Sequence, residues 1–132
     1  MKEQKRIERR RSVRAHLTIP VKYRLFETGA ISKKSYTHGH TNDISVDGLK
    51  LAVRQHHPVG TKLDMEIDFP PTLGIHTSAK VIGQVVGGGN WKIGDVVDRF
   101  DRVSFVDADK KAQILILRLV FEVMKRSEVK KK

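Results

Sequence analysis

Apolar residues occupy every second position from Val13 to Leu25. Val13, Ala15, Leu17, Ile19, Val21, Tyr23 and Leu25 alternate with polar partners that include His16, Thr18, Lys22 and Arg24. A period of two predicts a half-buried strand. Pro20 lacks a ladder donor, so the strand is expected at an edge or bulged at that point. Residues 27 to 34, with Gly29 among polar groups, read as a turn into a second strand from about Ser35 to Ile44. Leu49, Leu51 and Val53 alternate again until His56-His57-Pro58-Val59-Gly60 breaks the run. Leu63, Met65, Ile67 and Phe69 form a fourth strand, stopped by Pro70-Pro71. A fifth is expected from about Thr77 to Val86. Gly87-Gly88-Gly89-Asn90 then reads as a flexible hairpin loop, with a last strand between Trp91 and Phe105.

After Phe105 the period changes. Asp107 can cap a helix, with Asp109 in its first turn, and the helix is expected from Ala108 to about Arg126. Its polar positions Lys111, Arg118, Glu122 and Lys125 form one narrow stripe. Ile114, Leu115, Ile116, Leu117, Val120, Phe121 and Met124 make an apolar arc wider than one small barrel covers. A homodimer seam on this helix is therefore an expectation. Short antiparallel strands at regular spacing, then one helix, predict a mainly β fold: a small six-stranded antiparallel β-barrel with a C-terminal α-helix packed on it.

Charge divides the chain differently. The net charge is +11, yet residues 1–14 carry +5 and residues 125–132 carry +4, leaving +2 for everything between. The reading is a mobile basic arm over 1–14, one barrel-plus-helix unit over 15–126, and a disordered basic tail over 127–132. A duplex-binding surface spreads its Lys and Arg over a groove-facing element; basic ends on a near-neutral body suit an arm that closes on one compact anion. The chain has no cysteine, which excludes disulfides, thiolate metal sites and cysteine nucleophiles. No apolar run reaches the roughly 18 residues of a membrane span, and the expectation is a cytoplasmic chain without membrane insertion. There is no Gly-x-Ser-x-Gly elbow, no His-Glu-x-x-His and no Gly-Lys-Ser/Thr after the glycine run. His38, His40, His56 and His57 lack further ligands at useful spacing. The expectation is a binding module without enzymatic activity, metal or cofactor.

Two constellations carry the chemistry. Arg9-Arg10-Arg11-Ser12-Val13-Arg14 stands where the basic arm enters the first strand, and Asp43-Ile44-Ser45-Val46-Asp47-Gly48 lies between two strands. In this order they match the RRxxxR and DxSxxG signatures of the PilZ domain family, which the chain resembles over about residues 5–126. The resemblance implies a receptor for cyclic di-GMP. It further implies that Arg9, Arg10 and Arg14 grip phosphates and guanines, while Asp43 and Ser45 read a guanine edge.

The residue chemistry agrees. A guanidinium presents a planar fork that can bond two acceptors and stack on a purine, and an ionised carboxylate accepts from the guanine N–H edge. Asp43 and Ser45, two apart in extended chain, share a sheet face. Gly48 permits a positive φ or a close backbone approach. With Ile7 and Val13 as its large apolar groups, the arm cannot order itself, so ligand binding is expected to fold it over the barrel and present a surface to a protein effector. The alternatives are a sequence-tolerant nucleic-acid binder using the basic ends, and a protein-interaction module indifferent to the nucleotide.

Overall fold

The computed structural model describes residues 14–27, 35–70 and 78–131. Six strands, β1 (Ile19–Leu25), β2 (Thr37–Ile44), β3 (Gly48–Val53), β4 (Lys62–Asp68), β5 (Ser78–Ile93) and β6 (Val96–Ala108), precede one helix, α1 (Lys110–Lys131). The strands close into an antiparallel barrel in the order β1-β2-β3-β6-β5-β4. Closure gives every strand a hydrogen-bonded neighbour on each side, so none of the six is an edge strand. The period-two residues point inward: Ile19 and Val21 from β1, Leu49 and Leu51 from β3, and Leu63, Met65 and Ile67 from β4 are buried. The apolar face of α1, with Ala112, Leu115, Ile116, Leu119 and Val120, joins the same core.

Four local expectations are corrected. The Val13–Leu25 alternation is not one strand: β1 begins at Ile19, and Ala15 pairs separately with Ile44 through two backbone hydrogen bonds of 2.7 and 3.1 Å. Pro20 is tolerated because the β4 ladder on β1 starts only at Val21.

The Gly87–Asn90 segment is strand rather than hairpin, paired with Arg102, Asp101, Phe100 and Arg99 of β6. Its glycines make room for side chains. A Cβ at Gly87 would meet the Arg102 guanidinium at 2.5 Å, one at Gly88 the His56 ring at 3.1 Å, and one at Gly89 the Phe100 ring at 2.8 Å. The β5–β6 turn comes later, where Gly94 takes a φ of +61°, a left-handed value that favours glycine.

Asp109, not Asp107, caps the helix: its Oδ1 accepts the Ala112 N–H at 2.8 Å, while Asp107 is still paired with Ile82 in the sheet. The helix also continues to Lys131, beyond the expected end near Arg126. Of the turn predicted over 27–34, residues 28–34 lie outside the described residues. Among the described residues, no helix is long and apolar enough to cross a membrane.

Candidate functional site

The Ala15–Ile44 pair fixes where the chain enters the barrel, and with it the neighbours Arg14 and Asp43. Arg14 Nη1 donates to Asp43 Oδ2 at 3.1 Å. Lys50, from the adjoining β3, places its Nζ 3.6 Å from the same oxygen. Asp43 sits in a β2 irregularity between Thr41 and Ile44, where the ladder to β3 shifts register. The buried Thr41 hydroxyl repairs the gap: it donates to the Asp43 carbonyl at 2.9 Å and accepts the Asp43 N–H at 3.1 Å. Thr41 thus acts as a positioning residue for the carboxylate.

The second oxygen of that carboxylate is left over. Asp43 Oδ1 is buried and has no hydrogen-bond partner among the described residues. Leaving a buried acceptor unmade costs about 1–3 kcal/mol, so its persistence in a native fold calls for an explanation such as a ligand or ordered water.

Ser45 and Gly48 close the β2–β3 turn. The Ser45 N–H donates to the Gly48 carbonyl at 2.8 Å, and the Ser45 hydroxyl accepts the Asp47 N–H at 3.2 Å while contacting the Gly48 carbonyl at 3.4 Å. The turn is tied to β6 by Phe105 N–H donating to the Asp47 carbonyl at 2.8 Å. Of the two roles open to Gly48, the structure uses close approach. Its φ is not positive, and a Cβ there would lie 2.1 Å from the Val103 carbonyl oxygen.

Arg14, Asp43, Ser45, Asp47 and Gly48 line one open groove of about 210 Å³ together with Lys50, Val86 and Arg102. Arg9 and Arg10 lie outside the described residues. A profile of the PilZ domain matches residues 8–122.

The chain belongs to the PilZ domain family. That family binds cyclic di-GMP. Solved PilZ structures share the barrel. The PilZ domain of YcgR from Escherichia coli, solved with c-di-GMP, superposes with a TM-score of 0.66 at 14% identity over 93% of this chain and 97% of its own. The inhibitor of motility MotI/DgrA from Bacillus subtilis gives 0.68 at 13% identity over 92% of this chain; the present chain spans 52% of that protein. A tetrameric PilZ domain from Xanthomonas campestris, self-assembled through a helical bundle, gives 0.59 at 13% identity over 89% and 91%. No curated protein matches the chain in sequence.

Two basic residues on the groove of this PilZ barrel escaped the sequence reading. Lys50 and Arg102 are register partners on β3 and β6. Lys50 also stands 5.0 Å over the Phe100 ring, and the Arg102 guanidinium occupies the space that a Cβ on Gly87 would take. The signal was present in the glycine, because a guanidinium can lie on the sheet only where no Cβ intervenes. Read as a turn residue, Gly87 concealed it.

The histidines serve another purpose. His56 and His57 direct their Nδ1 atoms to the buried Asp101 carboxylate at 3.1 and 2.7 Å, and the His57 N–H adds a third bond at 3.2 Å. The cluster fastens the β3–β4 loop to β6. Among the described residues, no group of three or more His, Asp or Glu is arranged to hold a metal.

Proposed function

We propose that this PilZ domain is a cyclic di-GMP receptor. Asp43, Arg14 and the β2–β3 turn would seat one end of the nucleotide, and Arg9 and Arg10 would close on it from the arm. The single observation that carries the reading is the buried Oδ1 of Asp43, without a hydrogen-bond partner among the described residues, on the wall of a basic groove. The N1–H and N2–H edge of guanine supplies the donors that such an oxygen lacks, whereas adenine presents an acceptor at N1. Ser45 acts in this reading chiefly by holding the turn, since its hydroxyl is engaged there, and Gly48 by letting that turn press against β6. The family's ligand, and the c-di-GMP bound to the YcgR domain, support the same assignment.

Groove size supports a part played by the arm. Enclosed small-molecule sites run to about 300–1,000 Å³, so a groove of about 210 Å³ holds only part of a dinucleotide. The rest needs a second wall. Residues 1–14 carry +5 and few apolar groups, so in our reading the arm orders over the ligand. Several charge-assisted bonds at about 1.5–3 kcal/mol each exceed the roughly 2–5 kcal/mol that ordering such a segment costs. The surface so formed would signal to a protein effector.

Competition between cyclic di-GMP and cyclic di-AMP tests the reading. Selectivity for the guanine ligand that survives physiological salt is expected. Equal binding of both, with affinity falling steeply as salt rises, would mean a phosphate-only site and contradict it.

A further inference from the structure

Lys50 reaches Asp43 from the adjoining strand and is held more firmly than Arg14. Leu49 and Leu51 on either side of it are buried in the barrel, so its side chain lies on the outer face of β3, a strand flanked by β2 and β6. That side chain is 25% exposed, against 52% for Arg14. The ammonium stands 3.6 Å from Asp43 Oδ2 and 5.0 Å from the centroid of the buried Phe100 ring, within reach of a cation–π attraction. An ammonium carries three donors. One carboxylate oxygen and one ring face leave at least one of them for whatever occupies the groove that Lys50 lines.

Both cations stand at Oδ2, while Oδ1 has no hydrogen-bond partner among the described residues. In the receptor reading, on which the assignment rests, this carboxylate accepts the guanine N1–H and N2–H. Along that edge N1–H lies between the N2 amino group and O6, so the two ways of seating the base bring either O6 or the amino group beside the cations. A cation attracts the oxygen and repels the amino donor, and lysine is an ordinary partner of guanine O6. N1–H therefore falls to Oδ2 and N2–H to the buried Oδ1. We infer that Lys50 is a specificity residue that donates to guanine O6. Fixed on the barrel, it suits a contact that must hold one atom in place better than the half-exposed Arg14 does. Adenine carries an amino group where guanine has O6, and the ammonium opposes it.

The test is isothermal titration of the full chain with cyclic di-GMP, cyclic di-AMP and the cyclic dinucleotide of 6-thioguanine, which keeps N1–H and N2–H but replaces O6 by a weakly accepting sulfur. The wild type should bind the oxygen ligand about tenfold more tightly than the sulfur ligand. Lys50→Met, which keeps an unbranched apolar stem, should lose most of that preference, bind cyclic di-GMP about tenfold more weakly and narrow the margin over cyclic di-AMP. Lys50→Arg should restore the oxygen preference in part, and thermal denaturation should show both variants folded. A Lys50 that acts only by holding Asp43 would leave the oxygen-over-sulfur preference intact in Lys50→Met. That result, or unchanged binding of cyclic di-GMP by Lys50→Met, would overturn the inference and leave the receptor reading standing. A folded wild type that binds none of the three ligands would overturn both.

Discussion

Arg14 and Asp43 are 29 positions apart in sequence, yet Nη1 and Oδ2 stand 3.1 Å from one another. The contact exists because the Ala15–Ile44 bridge pins the chain one residue from each. Arg14 remains half exposed while the Asp43 side chain is almost fully buried, so the pair has one anchored member and one that can swing. A ligand that engages Asp43 can recruit the guanidinium without disturbing the barrel.

This arrangement separates stability from binding. Asp43→Ala removes a buried acceptor that has no partner among the described residues and leaves the partly exposed Arg14 and Lys50 free to hydrate, so thermal denaturation should shift by no more than a few degrees. Cyclic di-GMP affinity should fall by about 10–100-fold, the equivalent of one charge-assisted hydrogen bond. Loss of folding in this variant would mean that Asp43 is structural instead.

Gly48→Ala should lose stability as well as binding. Its Cβ would collide with the Val103 carbonyl, and such overpacking costs about 1–3 kcal/mol. Chemical denaturation should show that loss of stability. Binding should weaken as well, because the turn that holds Ser45 and Asp47 must move away from β6. Wild-type stability in this variant would show that β6 yields freely at Val103.

Arg102→Ala tests the basic wall that the glycine run uncovers. Arg102 is exposed and lies outside the hydrophobic core, so stability should hold while cyclic di-GMP affinity falls several-fold. Arg102→Lys should recover only part of it, since an ammonium cannot stack as a guanidinium does. Unchanged affinity in both variants would remove Arg102 from the site.

Asp101→Ala addresses the far side of β6. It removes three hydrogen bonds, to the His56 and His57 rings and the His57 amide N–H, and leaving such groups unpaired costs about 1–3 kcal/mol. Urea denaturation should show a loss of that order. Full occupancy by cyclic di-GMP in the remaining folded fraction is expected, because the cluster does not line the nucleotide groove.

The inward residues of β1, β3 and β4 were legible because a closed barrel wets one face of each strand and buries the other, which writes period two into the chain. The motif residues Arg14, Asp43, Ser45 and Gly48 were legible as spacing, but not their geometry. The irregularity at Thr41, which aims Asp43, leaves no mark on alternation. Asp101 and Phe100 were missed for a related reason: they are adjacent and both buried, which defeats a period-two reading of β6. Gly87, Gly88 and Gly89 misled because glycine marks both turns and close approaches, and sequence alone does not say which. The start of α1 slipped by two residues because Asp107 and Asp109 are equally good caps, and only the β5–β6 ladder decides between them.

The central claim is most directly tested by isothermal titration of the full chain with cyclic di-GMP at physiological salt, run in parallel on wild type and Asp43→Ala. Saturable micromolar or tighter binding by the wild type, weakened at least tenfold in the variant, is the predicted result. Absence of binding by the folded wild type, or equal binding by both proteins, would contradict a receptor that reads its nucleotide through Asp43.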